Sequence, residues 1–318
     1  MRGAVVQPTL VLRAPPTWDR LARATFRVRQ HYRYAYPSPI HDLRQRLMML
    51  PPEQHGAQRL LQRELRVDGA EEMRILSQSD RFGNVVYHIS SATVPEVVEF
   101  TADFMVERYS DGEPLRVSTE LAELYLGPTA LTAPCSRIRD AARALSQEIE
   151  TTPISELAAE VLPSGTGRLD VSGVRQWAAA QCGGIWAARA ITYQFGATGV
   201  QTPAAMALHL GRGVCQDYAH LAIAILREMR VPVRYVSGHL LGEGAPHAWI
   251  ETLLPDPELP GQLRVIAFDP THRVTPGLNY ITVAVGRDYS DIAPTSGTFQ
   301  GASGHFTARK NAWIVELA

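Results

Sequence analysis

Residues 211–226 read GRGVCQDYAHLAIAIL, a glycine-rich turn running into an apolar helix with a cysteine at the junction, and this stretch decides the fold. Ala219, Ala222, Ile223, Leu226 and Met229 recur at helical spacing, so the pattern predicts a helix from Cys215 to Arg230, stopped by Pro232. Before it, TPAAMALHL (202–210) reads as a short helix. After it, VRYVSGHLLG, HAWIETLL and LRVIAFDPT read as three successive strands, separated by loops at 242–246 and 255–261. Helix first and sheet after is an α+β plan.

Upstream, SGVRQWAAAQCGGIWAARAITYQF reads as a helix leading to Tyr193 and Gln194, with a weak point at Gly183 and Gly184. SRIRDAARALSQEI is helical too, and PSGTG (163–167) makes a loop between them. The first third has strand periodicity instead. Phe26, Val28, Gln30, Tyr32 and Tyr34 share one parity, and turn signals stand at YPSP (36–39), RVDG (66–69), DRFGN (80–84) and SDGEP (110–114). An antiparallel β domain, sandwich-like, is expected over residues 1–125, with a helix-bearing core and the C-terminal strands over 126–318.

The chain has 318 residues, 45% of them hydrophobic and 20% charged, which fits an ordinary folded protein of two domains. Thirty-one basic residues against 32 acidic ones give a net charge of −1, so no excess field recruits nucleic acid or an anionic membrane surface. The opening MRGAVVQPTLVLRAPP lacks the continuous apolar run of a signal peptide, and the chain is read as cytoplasmic. Its three cysteines, Cys135, Cys182 and Cys215, form neither a disulfide framework nor a C-x-x-C zinc pair. GRG is a lone G-x-G, and no H-E-x-x-H, P-loop or EF-hand pattern occurs, so neither cofactor nor metal is expected.

A helix N-terminus favours negative charge, which suits a thiolate at Cys215. A thiolate needs a base from elsewhere in the chain. His220 lies five helical steps on, ~140° around the axis, and faces another direction. Asp217 is expected to cap the helix. His247 opens a strand after a glycine-rich loop, and Asp269 ends the next strand; if the two strands run antiparallel, imidazole and carboxylate become neighbours about 5 Å apart. On spacing alone a structural cysteine, a surface histidine and an ordinary D-P-T turn remain an open alternative.

GVCQDYAH, RYVSGHLLG, HAWIE, FDPT and VAVGRDYSDIAPTSGTFQG occur in that order and resemble the bacterial branch of the transglutaminase-like superfamily. TFRVRQHYRYAYPSP, RLMMLPP and DRFGN resemble the β domain that precedes the core in that branch, so the likeness runs from about residue 24 to the end. The resemblance implies a papain/transglutaminase-like core, with Cys215 as nucleophile, His247 as base and Asp269 as orienting acid. It also implies acyl transfer or hydrolysis on a peptide or protein carboxamide through a thioester, with water or an amine as acceptor; a non-catalytic peptide-binding module that retains the fold is the alternative, and a complete triad argues against it. The calcium dependence of some animal relatives has no carboxylate-rich counterpart here. One departure is His272, where relatives tend to have asparagine after the threonine. Tyr193 and Gln194 are candidate oxyanion donors. Trp249, Trp186 and Tyr193 are candidate aromatic walls of the site, with a place in the core as the alternative for each; Tyr289 is a candidate lining residue or else a turn residue, and Arg287 and Asp288 are expected to pair locally.

Overall fold

The computed structural model describes residues 17–159 and 169–318. The opening segment read above for a signal peptide and the PSGTG loop lie outside them. Strands β1 (Arg23–Ala35), β2 (Ile40–Leu47), β3 (Gln54–His55), β4 (Gln58–Asp68), β5 (Arg74–Ser79), β6 (Val85–Val94), β7 (Val97–Tyr109) and β8 (Arg116–Ser118) come first. Then follow α1 (Ser136–Thr151), α2 (Ile154–Ala159), α3 (Val171–Ala190), β9 (Thr192–Tyr193), α4 (Ala204–Leu210), β10 (Arg212–Gly213) and α5 (Cys215–Glu228). The chain closes with β11 (Val233–Leu240), β12 (His247–Pro255), β13 (Gln262–Phe268), β14 (Tyr280–Gly286), β15 (Thr295–Gln300) and β16 (His305–Leu317). The fold is α+β.

The predicted parity of the first strand is what builds the sandwich. Phe26, Val28, Gln30 and Tyr32 are buried on β1, and Val98, Phe100, Ala102, Phe104 and Val106 alternate inward along β7. Two sheets enclose this core, in the orders β16-β1-β7-β4-β3 and β15-β2-β6-β5. The last two strands therefore differ from expectation. β16 pairs antiparallel with β1 and β15 with β2, so the chain's end returns to the N-terminal sheets instead of joining the helical part. β8 does the reverse and pairs with β13.

The central sheet has the order β14-β11-β12-β13-β8. Helices cover one face and the sandwich packs near the other, so β11, β12 and β14 are buried at nearly every position. Two buried amides join sandwich to sheet. Gln58 donates to the Thr282 carbonyl at 2.8 Å and accepts from the Thr282 N–H at 2.9 Å; Asn84, from the DRFGN turn, does the same to Val285 at 2.7 and 2.8 Å. They satisfy backbone groups on the outer side of β14, whose other side pairs with β11.

α5 is not the one-sided helix its pattern predicts: every residue from Gln216 to Arg227 is buried. It runs through the middle of the helical layer, and its polar members find partners from other elements. Buried Arg227, for instance, donates to the carbonyls of Tyr125, Val233 and Arg287 and to Thr132 Oγ1.

α3 is continuous through Gly183 and Gly184 but ends at Ala190, so ITYQF leaves the helix, and Thr192–Tyr193 pair in parallel with Arg212–Gly213. The glycines are there for packing. A Cβ on Gly184 would sit 2.3 Å from Phe268 Cε1, and one on Gly183 would touch Ile225 and Leu226 at 3.4 Å. Gly184→Ala gains about 1 kcal/mol of helix propensity, but pushing α3 off the sheet costs about 1–3 kcal/mol. A net loss of stability is expected in urea unfolding; an unchanged or raised midpoint would refute this packing argument.

Candidate active site

Cys215 is the first residue of α5, following Val214 in extended conformation. Its neighbours fix the turn: Gly211 adopts φ +67°, and a Cβ on Gly213 would collide with the Asp217 carboxylate at 2.5 Å. Asp217 caps the helix as expected. Its Oδ2 accepts from the Val214 N–H at 2.8 Å and from Thr198 Oγ1 at 2.6 Å. Burial raises the pKa of this carboxyl, and those bonds oppose the rise.

β12 and β13 are antiparallel, and Ile250 stands opposite Phe268. His247 is therefore not directly across from Asp269, and the two meet diagonally: Nε2 lies 2.8 Å from Asp269 Oδ2. An ionised carboxylate only accepts, so Nε2 carries the proton. Cys215 lines the same cavity as the ring. Burial works to lower the His247 pKa, but Asp269 foremost, with Cys215 and Glu243, outweighs it and holds it up at about 11.

Asp269 is fully buried. Its Oδ1 accepts from the N–H groups of Thr271 at 2.8 Å and His272 at 3.3 Å, which is the turn the D-P-T motif makes. Its Oδ2 accepts from three donors: His247, His272 Nδ1 at 2.7 Å and the Tyr280 hydroxyl at 2.7 Å. Burial alone would raise this carboxyl; the donors, His247 foremost, bring it down to about 2. Tyr280 is raised in turn, by burial and by the carboxylate it serves.

Three of these groups escape the sequence reading. Tyr280 comes from β14, after a loop of no fixed pattern. Glu243, in the loop before β12, places Oε2 3.3 Å from His247 Nδ1. His272, noted only as a departure in the adjacent loop, puts its ring on the same acid and its Nε2 3.7 Å from Glu243 Oε1. His247, Asp269 and His272 present donor atoms within 4.8 Å of one another, a possible metal-ligand set by composition, but the Asp269 oxygen they share is already saturated with hydrogen bonds.

His220 does face away. It is fully buried, its Nε2 accepts from the Tyr289 N–H at 3.2 Å, and burial lowers its pKa to about 4. Of the two readings open for Trp249, the structure takes the core: at 1% exposure it is stacked on the His247 ring at 6.1 Å and edge-on to Tyr280 at 5.4 Å, because the sheet is covered on both faces. Trp186 packs onto the helical core. Tyr193 is 54% exposed and electrostatically linked to Cys215, while the Gln194 N–H donates to the Gly213 carbonyl at 2.8 Å. That bond sets the 193–194 segment beside the turn into Cys215. Arg287 pairs with Asp291 at 2.8 Å, not with Asp288, which bonds Ser290 instead.

Cys215, His247 and Tyr289 line one cavity of about 400 Å³, together with residues of β1 and β16. No helix among the described residues is long and apolar enough to cross a membrane.

Residues 175–263 match the family described as the transglutaminase-like superfamily, and residues 26–107 match the bacterial transglutaminase-like N-terminal region. An uncharacterized protein of Mycobacterium leprae is 43% identical over 126 residues, 36% of this chain and 42% of the relative. One from Mycobacterium tuberculosis is 38% identical over 117 residues, 33% of this chain and 37% of the relative. The chain spans about two fifths of the length of the curated relatives it matches. In architecture it is similar to a solved candidate cysteine protease from Cytophaga hutchinsonii, with a TM-score of 0.62 at 18% identity over 92% of this chain and 91% of the other. That likeness speaks for the fold. The chain thus carries a transglutaminase-like core region over residues 175–263, preceded by a bacterial transglutaminase-like N-terminal region over residues 26–107.

Proposed function

We propose that this protein is a thiol enzyme that moves the acyl part of a peptide or isopeptide carboxamide onto Cys215 and then onto water or an amine. The observation that carries the reading is a single imidazole, His247, hydrogen-bonded to Asp269 at 2.8 Å and lining the same cavity as the Cys215 thiol at the start of α5.

In the first half-reaction the Cys215 sulfur attacks the carboxamide carbon, and the carbonyl electrons move to oxygen. As they return, the C–N bond breaks, the nitrogen leaves with the proton His247 supplies, and a thioester remains on Cys215. In the second half-reaction His247 takes a proton from water or an amine, the new bond forms to the acyl carbon, and the sulfur leaves. A raised His247 pKa keeps the ring protonated through neutral pH, ready to act as the acid. Asp269 fixes the ring's orientation and balances its charge. For the oxyanion, the first N–H groups of a helix have no intrahelical acceptor, which makes the Cys215 N–H one donor. The exposed Gln194 side chain, set beside it, is the other candidate.

The test is direct capture. Glutamine-containing peptides are mixed with the enzyme, quenched in acid and read by intact mass, with and without added amine. An acyl adduct on Cys215, absent in His247→Ala, is expected; an amine-linked product marks a transferase and a free acid marks a hydrolase. No adduct from any peptide, with the fold intact, would refute the reading.

A further inference from the structure

We propose that the cavity beside Cys215 is a subsite for a large apolar side chain flanking the reacting carbonyl, and that the β sandwich supplies the wall that selects it. This rests on the acyl-transfer reading above and adds to it the class of substrate.

At about 400 Å³ the space suits a ligand of one or two amino-acid residues. One wall is the helical part, with Cys215, Tyr235, His247 and Tyr289. The facing wall belongs to the other half of the molecule: Tyr32 of β1, and Phe306 and Ala308 of β16. Strand register explains why these meet. Tyr34 pairs with Phe306, Tyr32 with Ala308 and Gln30 with Lys310, so one face of the β1–β16 ladder presents an aromatic patch with a small residue set into it. Phe306 packs against Tyr32 at 5.4 Å and Tyr34 at 4.7 Å, yet remains 44% exposed. A large aromatic ring at a cavity wall, half in water, gains burial when an apolar group enters.

Two cations of β16, Arg309 and Lys310, also line the cavity. Lys310 Nζ donates to the Ala245 carbonyl at 2.7 Å, tying the loop before His247 to the sandwich. Burial lowers this amine to about 8, with Glu243 opposing the shift. Lys310 is engaged with the loop, while Arg309 is exposed where it lines the cavity, so an acidic side chain would be the preferred occupant only if that guanidinium, and not the aromatic wall, made the selection.

The experiment measures second-order alkylation of Cys215 in the full chain by N-acyl amino-acid chloromethyl ketones bearing phenylalanine, glycine or aspartate. Each rate is divided by the rate with iodoacetamide. The phenylalanine ratio is expected to exceed the glycine and aspartate ratios by about 10-fold or more. Ala308→Trp fills the cavity from the sandwich side and is expected to abolish that advantage. Phe306→Ser, at an exposed position, should cut it as well and serves if the tryptophan variant does not fold. Equal ratios, an aspartate preference, or a phenylalanine advantage that both variants retain would overturn the subsite while leaving the acyl-transfer reading standing. A Cys215 no faster with iodoacetamide than a free thiol would overturn both.

Discussion

Asp269→Asn is expected to lower turnover on a carboxamide substrate by roughly 10⁴-fold, the scale seen when the orienting acid of a triad becomes an amide. The reason is that both oxygens are already committed. Oδ2 accepts from His247, His272 and Tyr280, and Oδ1 accepts from two backbone N–H groups. An asparagine must turn its NH₂ toward one set or the other, and either way donors face donors. If the amide oxygen keeps the turn, His247 loses its acceptor and takes the wrong tautomer; if it keeps His247, the D-P-T turn opens. Steady-state kinetics beside a circular-dichroism check of the fold separate the two effects. Turnover within a few-fold of wild type would show that Asp269 does not orient the ring.

Glu251→Gln is expected to destabilise the fold by about 3–5 kcal/mol at neutral pH, as breaking a buried ion pair does. Glu251 is buried on β12, where its Oε2 accepts from Arg234 Nε at 2.7 Å and its Oε1 accepts from His55 at 2.8 Å, across from the sandwich. Burial pushes this carboxyl up, and His55 and Arg234 pull it down to about 2. A depressed folded pKa means the contribution is complete above the unfolded value of 4.5 and is lost as pH falls through about 2. Wild type and variant should therefore differ most at pH 7 and converge on acidification. Urea unfolding at pH 7 and pH 3 checks this; a constant difference would mean the carboxylate's charge is not what stabilises the site.

How far the sequence could be read depended on how local each signal was. The alternation from Phe26 to Tyr34 and the turn at Gly211 are properties of neighbouring residues, and they survive in the structure as a buried strand face and a left-handed cap. The burial of α5 on all sides was hidden because Gln216, Asp217, His220 and Arg227 look like a solvent face until partners far along the chain, such as Tyr125 and Tyr289, are brought to them. The return of β16 to β1 was hidden for the same reason, since no local pattern says which edge a strand will join. At the candidate site, His247 and Asp269 could be paired from strand order. Tyr280, Glu243 and His272 could not, because each reaches the pair from a loop or an edge strand through one side chain. Trp249 is open to two readings in the sequence, wall or core, and a central strand with both faces covered decides for the core, since it leaves its aromatics no open side.

The central claim is that His247 holds Cys215 in a reactive state, and iodoacetamide labelling of Cys215 from pH 5 to 9 in wild type and His247→Ala tests it most directly. Wild type is predicted to label well ahead of a free thiol at pH 6, and the alanine variant to fall back to the free-thiol profile. Labelling no faster than a free thiol, with a curve that His247→Ala leaves unmoved, would contradict it.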